Sequence, residues 1–135
     1  MFSVKFTLTI VFYPKSNSGA GDINGDGFDD ILIGASGADP NGNRSAGESY
    51  VIFGSASGFS GSLDLSSLDG SNGFVLNGID EFDGSGSSVS GAGDINGDGF
   101  DDIIIGAIFA DPNGNESAGE SYVIFGSDEF GGGNS

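Results

Sequence analysis

The sequence of 135 residues contains no cysteine and no histidine, and it has only three basic residues, Lys5, Lys15 and Arg44. These absences exclude disulfides, thiolate nucleophiles, Cys/His zinc or haem ligation and histidine-based acid–base catalysis. No apolar run approaches the ~20 residues that a membrane-spanning helix needs. Carboxylates, amides and backbone carbonyls remain as metal ligands, and these groups suit hard cations such as calcium or magnesium.

The charge balance is strongly acidic. Twenty acidic residues face three basic ones, which gives a formal net charge of −17. Nucleic acid binding requires a basic face, and an anionic membrane surface would repel this chain. We therefore expect no nucleic acid partner and no membrane insertion. A compact chain with this charge repels itself unless cations are bound, so the composition favours a bound counter-cation.

A long internal repeat organises the chain. Residues 18–55 recur as residues 90–127, displaced by 72 residues, and only four of the 38 positions differ. The differing pairs are Leu32/Ile104, Ser36/Ile108, Gly37/Phe109 and Arg44/Glu116. Self-similarity at a fixed period predicts stacked supersecondary units, each of which needs a neighbour to cover its apolar faces.

The apolar runs within each unit are short, β-branched and bounded by Gly, Asn, Asp or Pro, which is typical of strands. We predict strands at residues 18–20, 30–35, 49–53, 74–77, 89–92, 102–107 and 121–125. The continuous apolar run that follows Asp102 predicts a strand buried on both faces. Four strands per repeat is the pattern of a β-propeller blade, so the predicted fold class is all-β.

Four segments follow from this pattern. Residues 1–17 do not match the repeat and form either an edge strand or a weak signal-like segment. Residues 18–72 form the first blade with a Gly/Ser-rich connection, and residues 73–127 form the second. Residues 128–135 form a flexible C-terminal tail.

The predicted chemistry lies in a nine-residue loop, DINGDGFDD, that occurs twice. Oxygen side chains at positions 1, 3 and 5 converge when such a loop wraps round one ion, and glycine at position 6 permits the bend that turns the position-7 carbonyl inward. A carboxylate at position 9 closes the coordination sphere. The predicted calcium ligands are therefore Asp22, Asn24, Asp26, the carbonyl of Phe28, Asp30, Asp94, Asn96, Asp98, the carbonyl of Phe100 and Asp102, which hold about two ions.

Two other interpretations of this loop compete with a calcium site. Asn-Gly and Asp-Gly are common turn dipeptides, but an identical nine-residue register in two copies argues against a simple polar turn. An EF-hand needs an acidic ligand at position 12 followed by a helix, whereas position 12 is Ile33 or Ile105 within a predicted strand.

Weaker signals have plainer explanations. The segments 39–43 and 111–115 could be oxygen-rich sites, although a Pro/Asn/Gly turn explains them better. Glu48, Glu120 and the acidic residues at 80–83 could be imagined as catalytic carboxylates, but solvated positions are favoured, because nothing supplies a paired base or an oxyanion site. We expect Tyr50, Tyr122, Phe53 and Phe125 to lie in the core.

Residues 84–125 (GSGSSVSGAGDINGDGFDDIIIGAIFADPNGNESAGESYVIF) resemble the FG-GAP repeat of integrin-α β-propellers and of large bacterial surface proteins. In all, the resemblance covers residues 18–53 and about residues 73–125. It implies a calcium loop between two strands of a blade, with ligands at positions 1, 3, 5, 7 and 9. The complete propeller of that family has more blades than the two present here, so the chain would form an incomplete ring.

This resemblance implies a calcium-binding extracellular or cell-surface module for adhesion, with an unidentified protein or glycan as its partner. Further FG-GAP blades, or self-association, would cover the blade faces. One alternative is a calcium-stiffened spacer in a large secreted protein. Another is the non-catalytic part of a secreted hydrolase. No catalytic residues are expected in either case.

Overall fold

The computed structural model describes residues 7–9, 16–59 and 61–130, and within these residues the chain is all-β with no α-helix. The strands are β1 (Thr7–Thr9), β2 (Ser16–Gly21), β3 (Asp30–Ala35), β4 (Glu48–Ile52), β5 (Ser62–Asp64), β6 (Gly73–Asn77), β7 (Ser85–Gly93), β8 (Asp102–Ala107) and β9 (Glu120–Ile124). Short 3-10 turns occur at Pro40–Gly42, Leu65–Ser67 and Pro112–Gly114.

Two antiparallel sheets carry the repeats. The first has the order β2-β3-β4-β6, and the second, in the described residues, has the order β7-β8-β9. Their registers correspond, since Leu32 lies opposite Val51 in the first sheet and Ile104 lies opposite Val123 in the second. The all-β prediction is confirmed, and the two sheets form an open arrangement rather than a closed ring.

The predicted division at residue 73 does not coincide with a sheet boundary. Strand β6 was assigned to the second blade, but it pairs antiparallel with β4, with Val51 opposite Phe74. The connection after β4 returns the chain to the free edge of that strand, so the first sheet extends from Ser16 to Asn77. This connection also contains β5, which was not predicted and which pairs in parallel with β1.

The sheets stack face to face. Leu32, Val51 and Phe53 point from the first sheet into a core shared with Val89, Ile103 and Ile105 of the second. The opposite face of the first sheet packs Ile33, Tyr50 and Ile52 against Leu65, with Leu63 and Leu68 at its margin. Both faces of β3 are therefore covered, because apolar side chains at successive positions of a strand point to opposite sides.

The aromatic prediction holds for one repeat only. Tyr50 and Phe53 are buried in the first sheet, whereas Phe125 is 51% exposed and Tyr122 is half-buried. The expectation that Phe125 lies in the core is wrong, because in the described residues no sheet packs on the outer face of β8 and β9.

The end segments are partly outside the described residues. Of the predicted N-terminal segment, β1 is described, while residues 1–6 and 10–15 lie outside. At the other end, Phe130 packs against Phe74 with ring centroids 4.8 Å apart. Phe130, within the predicted tail, thus packs on β6, and residues 131–135 lie outside the described residues. No helix in the described residues is long and apolar enough to span a membrane.

Candidate metal centre

Each DINGDGFDD loop joins the first and second strands of its sheet, from β2 to β3 and from β7 to β8. The two loops have the same backbone conformation at their central glycines. Gly25 and Gly27 have φ values of 75° and 90°, and Gly97 and Gly99 have 75° and 91°. These left-handed conformations strain any residue with a Cβ atom, which explains glycine at positions 4 and 6.

The position-1 carboxylate organises the loop. In Asp22, Oδ1 accepts the N–H groups of Gly25 at 2.8 Å and Asp26 at 3.1 Å, and Oδ2 accepts that of Gly27 at 2.9 Å. Asp94 accepts the corresponding three N–H groups of the second loop at 2.8, 3.1 and 2.9 Å. The N–H of Gly99 is the main reason that the pKa of Asp94 lies below its usual value.

The position-5 side chains, Asp26 and Asp98, are exposed and accept hydrogen bonds within their own loops. Asp26 Oδ1 accepts the N–H of Phe28 at 2.9 Å, and Asp98 Oδ1 accepts that of Phe100 at 3.0 Å. The position-3 amides differ slightly. The oxygen of Asn24 accepts the N–H of Asp26 at 3.4 Å, whereas Asn96 donates to Asp98 at 3.3 Å.

The position-9 carboxylates lie beneath the loops at the start of β3 and β8. Asp30 is 2% exposed and Asp102 is fully buried. Asp30 accepts the N–H of Ile23 at 2.8 Å and, with its other oxygen, the N–H of Gly54 at 2.9 Å. Asp102 does the same with Ile95 and Gly126, both at 2.8 Å.

These carboxylates therefore have a structural role that the sequence motif did not predict. Each joins the start of its loop to the end of the third strand of the sheet. Burial raises the pKa of Asp30 to about 6, and the neighbouring carboxylates of Asp26 and Asp22 add to the rise, although the N–H groups of Gly54 and Ile23 oppose it.

The donor set fits a hard divalent cation. Each loop offers three carboxylates, one amide oxygen and one carbonyl, all within nine residues and all oxygen, which is the ligand chemistry of calcium. In the described residues, no three acidic side chains lie close enough to hold an ion by themselves. The amide at position 3 and the carbonyl at position 7 are thus necessary parts of the predicted set. The assignment of all ten ligands remains a prediction.

The other acidic candidates have local roles. Asp39 Oδ1 accepts the N–H of Ser45 at 2.7 Å across the Pro40–Gly42 turn, and Asp111 accepts that of Ser117 at 2.6 Å. Tyr50 donates to Glu48, and Tyr122 donates to Glu120 at 2.6 Å. The EF-hand alternative is excluded by the fold, because Ile33 and Ile105 lie in β3 and β8.

Sequence reasoning missed a groove at the opposite end of the strands from the DINGDGFDD loops. It encloses about 590 Å³ and contains Phe82, Ile108 and Phe109, which are 54%, 52% and 55% exposed. The guanidinium of Arg44 lies 5.7 Å from the centroid of the Phe82 ring. Glu81, Asp111 and Glu116 give the groove an acidic rim.

The available sequence signal for this groove was the pattern of repeat differences. Three of the four pairs that differ between the repeats are found here. Ser36, Gly37, Ile108, Phe109 and Glu116 line the groove, and Arg44 lies against the Phe82 ring. Apart from Leu32/Ile104 in β3 and β8, the two copies thus diverge only at this surface.

Comparison with known proteins agrees with these strands and loops. The model of the FG-GAP repeat family matches residues 16–52 and 85–124, which together make up more than half of the chain. The chain belongs to the FG-GAP repeat family. The matched segments begin with β2 and β7 and end with β4 and β9, so each FG-GAP match contains one complete DINGDGFDD loop.

The FG-GAP chain is also similar to integrin alpha subunits. It is 38% identical to mouse (Mus musculus) integrin alpha-8 over 96 residues, covering 66% of this chain and 8% of the integrin. It is 33% identical to integrin alpha-5 of Xenopus laevis over 110 residues, covering 78% of this chain and 9% of the integrin. The chain thus spans less than a tenth of these relatives, and the resemblance to integrin-α repeats is confirmed.

Proposed function

We propose that this chain is a non-enzymatic, calcium-binding recognition module that works outside the cell, at the cell surface or in a secreted protein. The observation that carries the calcium part is the duplication of the loop. Two nine-residue segments share their oxygen donors, their left-handed glycines and their hydrogen bonds to the carboxylates at positions 1 and 9. A polar turn with no ligand has no need for three carboxylates, which repel one another.

Each ion would be held by the five donors of one loop. A bound calcium would neutralise the three carboxylates of each loop and fix the exposed middle of the loop, in which Asp26 and Asp98 lie at the surface. The position-9 carboxylates already accept hydrogen bonds from backbone N–H groups. Each would therefore bind the ion as a buried side chain whose position is fixed.

Calorimetric titration tests this assignment. The intact chain should bind about two calcium ions, and magnesium should bind more weakly, because it demands tight octahedral geometry. Asp26→Ala and Asp98→Ala should each bind about one. These exposed positions are better probes than Asp30 or Asp102, because their removal leaves the buried hydrogen bonds in place. Zero ions, or an equal preference for magnesium, would contradict the calcium assignment.

Recognition is supported by the groove between the two repeats. Its apolar side chains are exposed and its rim is acidic, so it complements a partner that offers apolar and basic groups. The concentration of repeat differences at this surface favours recognition over a purely structural spacer. The similarity to integrin alpha subunits supports an extracellular protein or glycan as the partner, and the charge of −17 argues against nucleic acid.

A partner screen with groove variants tests this part. The chain is applied to protein and glycan arrays in calcium, together with the double variant Ile108→Ser/Phe109→Gly, which carries the residues that the first repeat has at these positions. Binding should be lost in this variant and retained in Val123→Ser, which changes an exposed apolar residue elsewhere. Equal binding by both variants would place recognition outside the groove. No binding by the intact chain would favour the spacer.

Catalysis is not part of the proposal. The chain lacks histidine and cysteine. The carboxylates of Glu48 and Glu120, which could otherwise act as bases, accept hydrogen bonds from Tyr50 and Tyr122. Hydrolase turnover by the purified chain would contradict this statement. If the chain belongs to a secreted hydrolase, its role there would be non-catalytic.

A further inference from the structure

The first metal loop rests directly on the second. Asp101 Oδ2 accepts the N–H of Asp22 at 2.8 Å, and the N–H of Asp101 donates to the carbonyl of Asp22 at 3.2 Å. The approach is close, since a Cβ atom added at Gly21 would lie 2.4 Å from Asp101 Oδ2. Both backbone hydrogen-bonding groups of Asp22, which opens the first loop, are thus bonded to one residue of the second loop.

A second path joins the buried anchors of the two loops. The carbonyl of Ile23 accepts the N–H of Ser127 at 2.9 Å, while the N–H of Ile23 donates to Asp30 at 2.8 Å. The neighbouring residue Gly126 donates to Asp102 at 2.8 Å. Hydrogen bonds at both backbone groups of Ile23, continued through the backbone of Ser127 and Gly126, therefore connect the position-9 carboxylates of both loops.

The position of Asp101 within its own loop gives these contacts a consequence. Asp101 lies at position 8, between Phe100 and Asp102, which are predicted to supply the carbonyl and the final carboxylate of the second site. The ring of Phe100 also packs under the first loop, because a Cβ atom at Gly25 would lie 2.4 Å from it. An ion that orders positions 7 to 9 of the second loop would therefore also order the residues that contact the first loop.

We propose that Asp101 is a positioning residue that couples the two metal loops, so that calcium binding at one loop strengthens binding at the other. This inference rests on the proposed calcium function. A loop that is already ordered by its neighbour loses less conformational entropy when it takes up an ion, which gives positive coupling without a large structural change.

The first repeat provides a matched control. Asp29 occupies position 8 of the first loop, with the same side chain and the same neighbours in sequence. It is exposed, and no hydrogen bond to its carboxylate is found in the described residues. Asp29 and Asp101 thus have the same local sequence, but only Asp101 is hydrogen-bonded to the other loop.

The test compares calcium affinities by titration calorimetry. The affinity of each loop alone comes from Asp26→Ala and Asp98→Ala, and their product is compared with the overall affinity of the intact chain. Coupling should make the intact product larger by about 5-fold, at the low end of measured coupling between sites. In the Asp101→Ala background this ratio should fall to about 1, whereas in the Asp29→Ala background it should stay near 5-fold. Asp101→Asn keeps an oxygen acceptor and should retain most of the coupling.

A second pair of variants covers the case in which Asp101→Ala does not fold. Gly21 and Gly93 are equivalent glycines with φ values of 68° and 71°, so alanine strains both backbones alike. Only at Gly21 would the new Cβ displace Asp101, because nothing lies within 4 Å at Gly93. Gly21→Ala should therefore abolish the coupling, and Gly93→Ala should preserve it.

The outcomes separate the coupling inference from the proposed calcium function. Loss of coupling in Asp101→Ala and Gly21→Ala, but not in their controls, supports the inference. Coupling that survives in both, or that is lost equally in the Asp29 and Gly93 controls, overturns it while the calcium function stands. A chain that takes up no calcium contradicts the proposed function and overturns the coupling with it.

Discussion

The two repeats have almost the same sequence and very different surroundings. Ile23, Val51 and Phe53 of the first repeat are 0%, 0% and 5% exposed. The same residues in the second repeat, Ile95, Val123 and Phe125, are 55%, 42% and 51% exposed. Because the side chains are identical, the difference comes from the neighbour that covers the first sheet, as expected for a stack of repeats.

The two DINGDGFDD loops, in contrast, have the same local structure in both repeats. Their hydrogen bonds to the carboxylates at positions 1 and 9 are the same in both repeats, even though the first loop lies against the second repeat and the second loop is exposed. Loop geometry is therefore local to the nine residues and the end of the third strand, whereas burial of the apolar face is a property of the assembly.

The largest expected difference between the repeats concerns Phe53 and its equivalent Phe125, each of which directly follows the third strand of its sheet. Phe53→Ala should lower the free energy of unfolding by about 3–5 kcal/mol, because it opens a cavity in the shared core. Phe125→Ala should change it by less than about 0.5 kcal/mol, as for other exposed positions. Chemical denaturation in saturating calcium measures both. Similar losses in the two variants would mean that Phe125 is covered in solution, for instance by a second copy of the chain.

The second prediction concerns calcium removal. With ~1 mM calcium and a Kd near ~0.1 mM, each site stabilises the fold by roughly 1.4 kcal/mol, so chelation should remove about 3 kcal/mol. This is a large part of the 5–15 kcal/mol that a typical domain has, and charge repulsion grows as the cations leave. Far-ultraviolet circular dichroism with and without chelator measures the loss of β-structure. Unchanged stability in chelator would contradict it.

Asp30→Ala should have a cost even without calcium, which separates its structural role from metal binding. In chelator it leaves two N–H groups without their partner, those of Ile23 and Gly54, and should lower stability by about 2 kcal/mol or more. Asp26→Ala under the same conditions should have almost no effect, because Asp26 is exposed. Equal effects of the two substitutions would argue that Asp30 has no anchoring role.

The smallest expected effect is a pH dependence in the calcium-free chain. The pKa of Asp30 is about 6 in the fold and 3.8 in its reference state, so the folded chain binds the proton more tightly. Its charge therefore destabilises the fold above pH 6, and stability should rise by about 1 kcal/mol as the pH falls from 7 to 5. Asp30→Asn should remove this part of the pH dependence. The same pH dependence in wild type and variant would show that another group is responsible.

The sequence predicted the features that depend on neighbouring residues. The bounds of β3 and β8 were correct because each is a short apolar run between a DINGDGFDD loop and a turn. The loops were located by their residue spacing. Strand β6 lies in the predicted second blade but pairs with β4, because the pattern of a strand does not say which edge it joins.

Other features could not be predicted from local patterns. Identical segments cannot reveal that Ile23 is buried and Ile95 exposed, since only the position in the stack differs. Asp101 occupies a spacer position in the loop motif, and its contact with Asp22 crosses 79 residues. The groove brings Phe82 together with Phe109 from another part of the chain, although the four repeat differences were a visible sign of it.

A crystal structure grown in calcium tests the central claim most directly, because it examines both loops at once. One ion should occupy each loop, ligated by Asp22, Asn24, Asp26, the Phe28 carbonyl and Asp30 in the first, and by the equivalent atoms in the second. The ligand distances should be about 2.3–2.6 Å, as for other calcium sites. Two ordered loops with no ion, at calcium concentrations well above ~1 mM, would contradict the account.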